Sequence, residues 1–572
     1  MNWNYITNYP TNYPKTCLFF LLLLLTLFKL PAIGFDDIQP WDEGMYAARV
    51  NSIYLNGDFW DQAQHSVAGM DSGSQPPLVV WLGYFATKAF GLHDWILKLI
   101  PFIFGLLSVI VITMLGKELF DFKTGFLSAV IFSSSVLFSI YIKRFQLDIP
   151  VLFFILLPFY FIVKFLKTSE YEHTFFAGIC FGLSLMTKLL VGFIVPLILI
   201  CFLVTLFFHK NNLNRKKIFT GILILSFTGL LIALPWHYHV LEKYGGSFIQ
   251  YIFGFHIYQR AVEGVDDNTK PSGIFFYINY LLTLFPFAIL VFYSIYYDYK
   301  NKIQNNWKQL FIHLWFLIPL ILISFFKTKL EPYAFLFLPA FTIITASFIL
   351  NNHWSEKDRR NIFILLLFNI FWFFLGDYKR SFLSLITINL LISIPIILII
   401  ALCIYLLTKK DKINFDKLIS PYTLTAFTLL FFIFNNIFLF FNPPAFENSF
   451  KLSNIKNYLD EKNVSEFIYV SPNYKYNPQL SYYFNGVDMN WNRGYKWNLV
   501  ELNENPLLAK AKLDSLKNNY DYIIIEKDNI NRGTYFESTS FIPDGYRLLM
   551  KYHGYELWGS NIESDSRTHF IK

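Results

Sequence analysis

Apolar runs of about twenty residues recur along the chain as far as residue 441, and they restrict it to folds that place helices in a membrane. Of the 572 residues, 55% are hydrophobic and 15% are charged, against about 25% charged residues in soluble domains. Lipid offers no partners to backbone amides, so each run is predicted to be helical. The runs lie at residues 16–34, 95–118, 123–142, 149–167, 173–187, 190–208, 217–235, 272–297, 307–326, 331–350, 359–376, 382–408 and 418–441.

The charges of the intervening loops predict their sides of the membrane. Segment 76–91 is short, opens with two prolines and carries Lys88, so it favours an interfacial helix over a span. Without it, thirteen spans place the most basic loops in the cytoplasm and the acidic loop 35–94 outside. These basic loops are 209–217, 299–302, 356–360 and 409–412. The N-terminus is therefore predicted to be cytoplasmic and the C-terminus extracytoplasmic.

The composition changes near residue 442. Short β-like runs alternate with polar and helix-compatible stretches, which is typical of a small α/β domain. The β-like runs are 467–470, 522–525, 546–550 and 555–558, and the clearest helical stretch is 506–516. We therefore predict a transmembrane domain over 1–441, with outside loops at 35–94 and 236–271, and an extracytoplasmic domain over 442–572.

Charged and polar residues suited to catalysis gather in five outside loops of this topology. Paired carboxylates at a membrane surface are costly to desolvate, so the adjacent Asp42 and Glu43 point to a function. A site built from several helix ends needs this kind of convergence. The candidates are Asp42, Glu43, Arg49, Gln75, Arg144, Asp148, Lys188, His256, Arg260, Lys327, Lys329 and Tyr333.

Several of these residues have structural alternatives. Asp42 could solvate its loop, and Asp148 precedes a span, where a carboxylate favours a helix N-terminus. The three lysines could be interfacial anchors whose stems lie along apolar surface. His237 and His239 beside Trp236 favour an interfacial belt over metal ligation. Glu43 suits a supporting role in the loop rather than that of the base.

Six motifs follow one another along the first 345 residues. They are Trp41-Asp-Glu-Gly-Met-Tyr-Ala-Ala-Arg49; Gly57-Asp58 with Gln75-Pro-Pro-Leu78; Arg144-Phe-Gln-Leu-Asp148; Thr187-Lys188; Leu234-Pro-Trp236 with His256-Ile-Tyr-Gln-Arg260; and Lys327-Thr-Lys-Leu-Glu-Pro-Tyr333 with Pro339. This order resembles the GT-C glycosyltransferases that use polyprenyl-phosphate sugars. It is most similar to the aminoarabinose transferases of lipid A and the dolichyl-phosphate-mannose protein mannosyltransferases.

The resemblance implies transfer of a sugar from an undecaprenyl-phosphate-type donor to an acceptor hydroxyl on the outer face of a bacterial inner membrane. Asp42 would act as the general base in an inverting displacement, and Asp148 would hold the acceptor or organise Arg144. Lys188, Arg260 and the two lysines 327 and 329 would receive the leaving phosphate. The acceptor would be lipid A, another glycolipid or a protein.

Two of the motifs depart from the aminoarabinose branch. Ser74 and Gln75 stand where these relatives usually have Glu-Lys, and Leu189 replaces the glycine after the threonine-lysine pair. The departures leave open the sugar, the acceptor and any divalent metal, for which Asp42 and Asp148 would be the ligands. No cofactor is assigned.

Other classes of membrane protein fit the pattern less well. A flippase or transporter for lipid-linked sugars would place charges near the midplane and carry an internal repeat. An O-antigen ligase or polymerase is also polytopic with a large outside loop, but usually lacks an acid pair in its first loop followed by Pro-Pro. A purely structural protein would not explain the converging loops.

Overall fold

The computed structural model describes most of the chain. The described residues are 12–34, 37–63, 75–209, 212–264, 273–301, 306–350, 353–375, 415–441, 451–471, 474, 478–484, 495–501, 506–526, 545–552 and 554–560. The predicted span 382–408 and the basic loop 409–412 lie outside them, as does Ser74. Contacts divide the chain into two compact units. The first comprises Met1–Ala32, Pro101–Lys143 and Leu147–Pro444, and the second Ile33–Ile100, Arg144–Gln146 and Ala445–Lys572.

The first unit is helical. Its α-helices are Pro14–Lys29, Phe122–Ser133, Val136–Tyr141, Asp148–Thr168, Tyr171–Leu185, Leu189–Gly192, Ile194–Thr205, Arg215–Tyr244, Gly246–Ile249, Phe276–Leu284, Leu290–Lys300, Trp307–Phe325, Leu338–Ile349, Glu356–Leu375, Phe415–Leu418 and Pro421–Phe441. A π-helix covers Gln250–Glu263, and a 3₁₀ turn covers Glu331–Leu336. The helix Asp94–Leu119 contains Pro101, where the division between the units falls.

Each predicted apolar run that the structure describes is largely helical. Among the described residues, six helices are long and apolar enough to cross a membrane, and the longest is Arg215–Tyr244. Other runs are divided into shorter helices, as at Ser134 and Ser135. The helix that contains Pro235 continues to Tyr244, so the predicted loop 236–271 begins with helix rather than coil. The count of thirteen spans stays a prediction.

Small residues let two helices of the first unit approach closely. Gly178 and Gly182 form a G-x-x-x-G pattern in Tyr171–Leu185, which packs on Arg215–Tyr244. A Cβ at Gly178 would lie 2.8 Å from the Leu225 carbonyl oxygen, and one at Gly182 2.8 Å from that of Gly229. Because lipid gives little hydrophobic drive between helices, such close backbone packing is a main source of their association.

The second unit combines short helices with one sheet. Its α-helices are Asp42–Asn56, Leu78–Phe90, Leu452–Glu461, Gln479–Phe484 and Pro506–Leu516. The strands are β1 (Glu466–Ser471), β2 (Lys496–Glu501), β3 (Tyr522–Glu526), β4 (Tyr546–Lys551) and β5 (Tyr555–Ser560). We call Asp42–Asn56 the first-loop helix and Gln479–Phe484 the bridging helix. Leu78–Phe90 rises about 20 Å at 1.5 Å per residue, less than the roughly 30 Å of a bilayer core.

The five strands lie in the order β2-β1-β3-β5-β4. β1 runs parallel to β2 and β3, while β5 is antiparallel to β3 and β4. One face packs on the helix Pro506–Leu516 through a core that contains Ile468, Val500 and Leu513. The other face carries Phe467, whose ring lies 4.9 Å from that of Phe484 in the bridging helix. Four of the strands fall on the predicted β-like runs, whereas β2 was not predicted.

Candidate active site

A lysine and an aspartate from different helix ends pair in the first unit. Lys188 precedes the short helix Leu189–Gly192, and Asp148 begins the helix Asp148–Thr168. The Lys188 Nζ lies 3.1 Å from the Asp148 Oδ1, with 21% of the lysine and 9% of the aspartate side chain exposed. Removing two charges from water is costly unless they are paired, so this ion pair fixes both side chains.

The chain turns at Lys188 because the preceding helix ends in a local hydrogen-bonded cap. The amides of Thr187 and Lys188 both donate to the Ser184 carbonyl, at 3.1 and 2.9 Å. A Cβ at Gly192 would lie 2.7 Å from the Ser184 Oγ, so a glycine lets the next turn pack close. The threonine-lysine motif therefore sits in a break between two helices, where a side chain can leave the helix packing.

The π-helix Gln250–Glu263 carries His256 and Arg260. Its end is hydrogen-bonded to the segment that precedes Tyr333: the Lys327 amide donates to the Ala261 carbonyl at 3.1 Å, and the Thr328 amide donates to the Arg260 carbonyl at 2.9 Å. These bonds hold residues 327–328 beside the end of the π-helix. Because π-helices occur mostly as short functional insertions, its length of 14 residues marks this loop as unusual.

Tyr333 joins the two groups of charged residues. The Arg260 Nη1 donates to the Tyr333 hydroxyl at 2.7 Å, and the Lys188 Nζ lies 5.9 Å from the centre of the same ring. The tyrosine lies in the 3₁₀ turn Glu331–Leu336, directly after Pro332. Three segments that are far apart in sequence thus meet at one tyrosine, with one cation at its hydroxyl and another near its ring.

These residues border a cleft that is otherwise apolar. It is lined by Asp148, Val151, Leu152, Ile155, Lys188, Val191, Pro332, Tyr333, Phe335 and Leu336. Its polar groups are the ion pair and the tyrosine, and the remaining side chains are aliphatic, proline or phenylalanine. Such a cleft suits a ligand that has an anionic head and a hydrocarbon chain.

The electrostatic environment keeps His256 neutral. Burial, together with the nearby positive charges of Arg260 and Lys188, lowers the pKa of this imidazole to about 3. Tyr251 and Phe255 pack against its ring, with centroids at 4.6 and 5.2 Å. His256 is therefore a hydrogen-bonding group rather than a third cation of this cluster at physiological pH.

Lys327 and Lys329 differ in their surroundings. Lys327 is exposed. Lys329 is half-buried, its Nζ donates to the Phe326 carbonyl oxygen, and burial lowers its pKa. The structure therefore brings Asp148, Lys188, His256, Arg260 and Tyr333 together within the first unit. The two lysines lie on the chain segment that leads to Tyr333.

In the second unit, Asp42 is the first residue of the first-loop helix and is exposed. Glu43 next to it is fully buried. Its carboxylate accepts from the Gln39 amide at 2.9 Å and from the Phe145 amide at 2.8 Å, and the Lys98 Nζ lies 4.0 Å away. Two adjacent acids thus have different environments, one open to solvent and one consumed in internal bonds.

The remaining candidates of the second unit support the same loop. Arg49 is fully buried and donates to the Gln62 Oε1 and to the Gln75 carbonyl oxygen, both at 2.7 Å. Arg144 is half-buried, next to the Phe145 amide that binds Glu43. The buried Glu43 and Arg49 therefore act on the position of the first-loop helix and on the backbone before Pro76.

Some contacts of the second unit were not predicted from the sequence. Glu43 meets Lys98, and Asp37 is bound by Ser453, which follows it by 416 residues. No local signal connects Asp37 to Ser453. Within the part of the chain that the structure describes, no group of three or more His, Cys, Asp or Glu side chains is arranged to hold a metal ion.

Comparisons with known sequences agree with the motif pattern. A family model described as dolichyl-phosphate-mannose-protein mannosyltransferase matches residues 74–239, less than a third of the chain. An uncharacterized protein of Aquifex aeolicus (strain VF5) is 22% identical over 354 residues, which cover 61% of this chain and 67% of that protein. The undecaprenyl phosphate-alpha-4-amino-4-deoxy-L-arabinose arabinosyl transferase of Wigglesworthia glossinidia brevipalpis is 23% identical over 318 residues, or 55% of each chain. The matched part is thus little more than half of the transferase's length.

A solved structure shares the fold along nearly the whole chain. The crystal structure of ArnT from Cupriavidus metallidurans, bound to undecaprenyl phosphate, superimposes with a TM-score of 0.63 at 15% identity. The match covers 95% of this chain and 98% of that one. The family model, the arabinosyl transferase and this fold together confirm the predicted resemblance to the GT-C polyprenyl-phosphate glycosyltransferases.

Proposed function

We propose that this chain, which has the fold of the GT-C polyprenyl-phosphate glycosyltransferases, moves a sugar from a polyprenyl phosphate of the undecaprenyl type to an acceptor hydroxyl. The reaction takes place on the outer face of a bacterial inner membrane. The protein crosses this membrane thirteen times, with a cytoplasmic N-terminus and a periplasmic C-terminal segment. The main support is the meeting of Lys188 and Arg260 at Tyr333, beside an apolar cleft.

The cations suit the leaving group of this reaction. When the bond between the anomeric carbon and the phosphate oxygen breaks, the lipid phosphate keeps the electron pair and gains negative charge. Lys188 and Arg260 supply positive charge to it, and the planar guanidinium of arginine is suited to two parallel contacts with phosphate oxygens. The apolar side chains of the cleft would receive the first isoprene units of the donor.

Asp42 is proposed as the general base. The acceptor oxygen attacks the anomeric carbon from the face opposite the phosphate, and its proton passes to the Asp42 carboxylate, so the configuration inverts. The exposure of Asp42 supports the assignment, because a base must reach the acceptor. Glu43, fully buried, is a positioning residue for it.

The other predicted residues receive supporting roles. Asp148 orients Lys188 through their ion pair. Arg49 holds the backbone of the first outside loop, because its hydrogen bond to the Gln75 carbonyl joins the first-loop helix to the residues before Pro76. Arg144 is proposed to contact the acceptor, and Lys327 and Lys329 to strengthen the positive potential toward the phosphate.

Purified protein separates this function from a flippase. A transferase forms product from undecaprenyl-phosphate sugar and acceptor in detergent, where no membrane side exists, whereas a flippase forms none. Mass spectrometry of envelope lipids and glycoproteins, with and without the gene, identifies the sugar and acceptor by the glycoform that is lost. An unchanged set of glycoforms, with no transfer in detergent, would rule the proposal out.

Removing the Tyr333 hydroxyl is expected to weaken donor binding. In Tyr333→Phe the Arg260 guanidinium loses the bond that orients it, a loss of about 1.5 kcal/mol or roughly tenfold in affinity. Binding of undecaprenyl phosphate to the detergent-solubilised protein measures it. Tyr297→Phe, which removes a hydroxyl that donates to the His353 carbonyl, is the matched control and should bind as the wild type does. Equal affinities for all three proteins would contradict the role of Tyr333.

The neutral state of His256 predicts a pH-dependent stability. Its pKa of about 3 in the folded protein lies below the unfolded value of about 6.5, so only the unfolded chain takes up a proton between these values. The contribution of His256 to the free energy of unfolding is therefore fully present above pH 6.5. It falls on acidification by up to about 1.4 kcal/mol per pH unit. Thermal unfolding at pH 7.5 and 5 should show a smaller loss for His256→Gln than for the wild type. The same loss in both proteins would show that His256 does not titrate in this way.

A further inference from the structure

We propose that residues 445–572 act as a positioning element for the general base, by holding the first-loop helix through the bridging helix. This inference rests on the proposed function, because it takes Asp42 at the start of the first-loop helix to be the base. All of the contacts that support it lie within the second unit.

The two helices touch through a glycine. A Cβ at Gly44 would lie 2.8 Å from the Gln479 backbone nitrogen and 3.1 Å from the Gln39 carbonyl oxygen. A distance below 3.0 Å to a backbone atom cannot be relieved by moving a flexible side chain. Any larger residue at position 44 must therefore shift the first-loop helix two residues after Asp42, or displace the start of the bridging helix.

Hydrogen bonds also join the bridging helix to the first-loop helix and to the residues before it. The Asn51 side-chain amide donates to the carbonyls of Ser481 and Tyr482 at 3.3 and 3.1 Å. The Ile38 amide donates to the Tyr483 hydroxyl at 2.9 Å, and that hydroxyl donates to Asp94. The bridging helix is thus bonded to the segment before the first-loop helix and to its third turn.

Asp37 binds the segment that precedes Asp42 to a second C-terminal helix. Its two carboxylate oxygens accept from the Ser453 amide at 2.8 Å and from the Ser453 hydroxyl at 2.7 Å. The Lys98 Nζ donates to the Asp37 carbonyl at 2.8 Å. Burial raises the pKa of Asp37, so these bonds are made by a carboxyl group with little access to water. A buried acid of this kind is retained only where its partners are in place.

A buried polar network continues from the bridging helix into the sheet. Gln479 donates through its side-chain amide to the Tyr555 hydroxyl on β5. On the neighbouring strands, the hydroxyls of Tyr469 and Ser471 both donate to Glu526 at 2.7 Å. The bridging helix is therefore bonded to the sheet of the C-terminal segment.

The backbone before Asp42 needs such support. Trp41 has φ +70° and ψ −131°, a conformation that a residue with a side chain seldom adopts. Strain of this kind costs on the order of 1–3 kcal/mol and persists only where the surroundings over-determine it. Since Trp41 directly precedes the proposed base, the contacts of Gly44 and Asp37 set the direction in which Asp42 leaves the turn.

The test uses variants of the whole chain. Some disturb the contact between the first-loop helix and the C-terminal segment, and one disturbs only the core of that segment. Gly44→Ala alters the contact, and Ser453→Ala removes one bond to Asp37 as a milder change should the first fail to fold. Leu513→Ala is the matched control, because Leu513 lies in the helix Pro506–Leu516 and is buried in the core on the other face of the sheet. Each protein is compared for thermal stability, transfer rate, undecaprenyl phosphate affinity and hydrogen exchange of the amides of residues 43–51.

Gly44→Ala is expected to lower the transfer rate by about 10- to 100-fold, since small misplacements of a catalytic group have effects of this size. Its affinity for undecaprenyl phosphate should stay within about twofold of the wild type, and hydrogen exchange at residues 43–51 should rise. Ser453→Ala should show the same changes to a smaller extent. Leu513→Ala should lose thermal stability while its transfer rate and its exchange at 43–51 stay near wild type.

Wild-type rates and exchange in Gly44→Ala, or in Ser453→Ala if the former does not fold, would overturn the inference. A rate loss in Leu513→Ala as large as that in the contact variants would overturn it as well, since general stability would then explain both. If the wild-type protein itself transfers no sugar, the proposed function fails and this inference falls with it. Normal wild-type transfer with unaffected contact variants would remove the positioning role alone.

Discussion

Asp42→Asn is expected to lower sugar transfer by about 10²–10⁴-fold, the usual contribution of a general base. The amide has nearly the shape of the carboxylate but does not take up the acceptor proton. Because Asp42 is exposed at the start of its helix, the protein should fold and bind undecaprenyl phosphate as the wild type does. The initial transfer rate in detergent, with saturating donor and acceptor, measures the effect.

The control for Asp42→Asn is the same replacement at an exposed carboxylate elsewhere. Asp514→Asn alters a residue that pairs with Lys517 on the surface, and its transfer rate should equal that of the wild type. Full turnover in Asp42→Asn would remove this residue from the role of base. A matching loss of undecaprenyl phosphate binding would instead assign Asp42 to the donor.

Lys188→Met is expected to affect both donor binding and stability. The variant leaves Asp148, with 9% of its side chain exposed, without the lysine that neutralises it, and breaking a buried pair in this way costs about 3–5 kcal/mol. It also removes a cation from the proposed phosphate site, which should lower the transfer rate by about 10²–10³-fold, as the loss of one such stabilising group does elsewhere. Thermal unfolding and the dependence of rate on donor concentration measure the two effects.

A double variant separates these two consequences of losing Lys188. Asp148→Asn combined with Lys188→Met removes both charges, so much of the lost stability should return while donor binding stays weak. Lys164→Met is the matched control, because its ammonium lies 5.3 Å from the centre of the Tyr160 ring in the same helix as Asp148 and should leave donor binding unchanged. If the double variant bound undecaprenyl phosphate as tightly as the wild type, Lys188 would have only a structural role.

The sequence predicted the elements that depend on local pattern. Apolar runs of about twenty residues have few alternatives to helix in lipid, and those that the structure describes are largely helical. Runs such as 467–470 and 522–525 became β1 and β3 because β-branched and aromatic side chains suit a buried sheet. β2 was missed because Lys496, Asn498 and Glu501 dilute its apolar pattern, and pairing with β1 is what makes it a strand.

The tertiary structure alone decided which residues meet. Motif order named Asp148, Lys188, Arg260 and Tyr333, but it did not show that Lys188 pairs with Asp148 across 40 residues or that Arg260 binds Tyr333 across 73. The bond between Asp37 and Ser453 spans 416 residues and has no sequence signal at all. The physical reason is that hydrophobic period and turn chemistry act within a few residues, whereas such pairs form only after helices and strands have packed. What the amino-acid order determined here is therefore the helices, most strands and the chemical groups available, and what packing decided is which of those groups share a site.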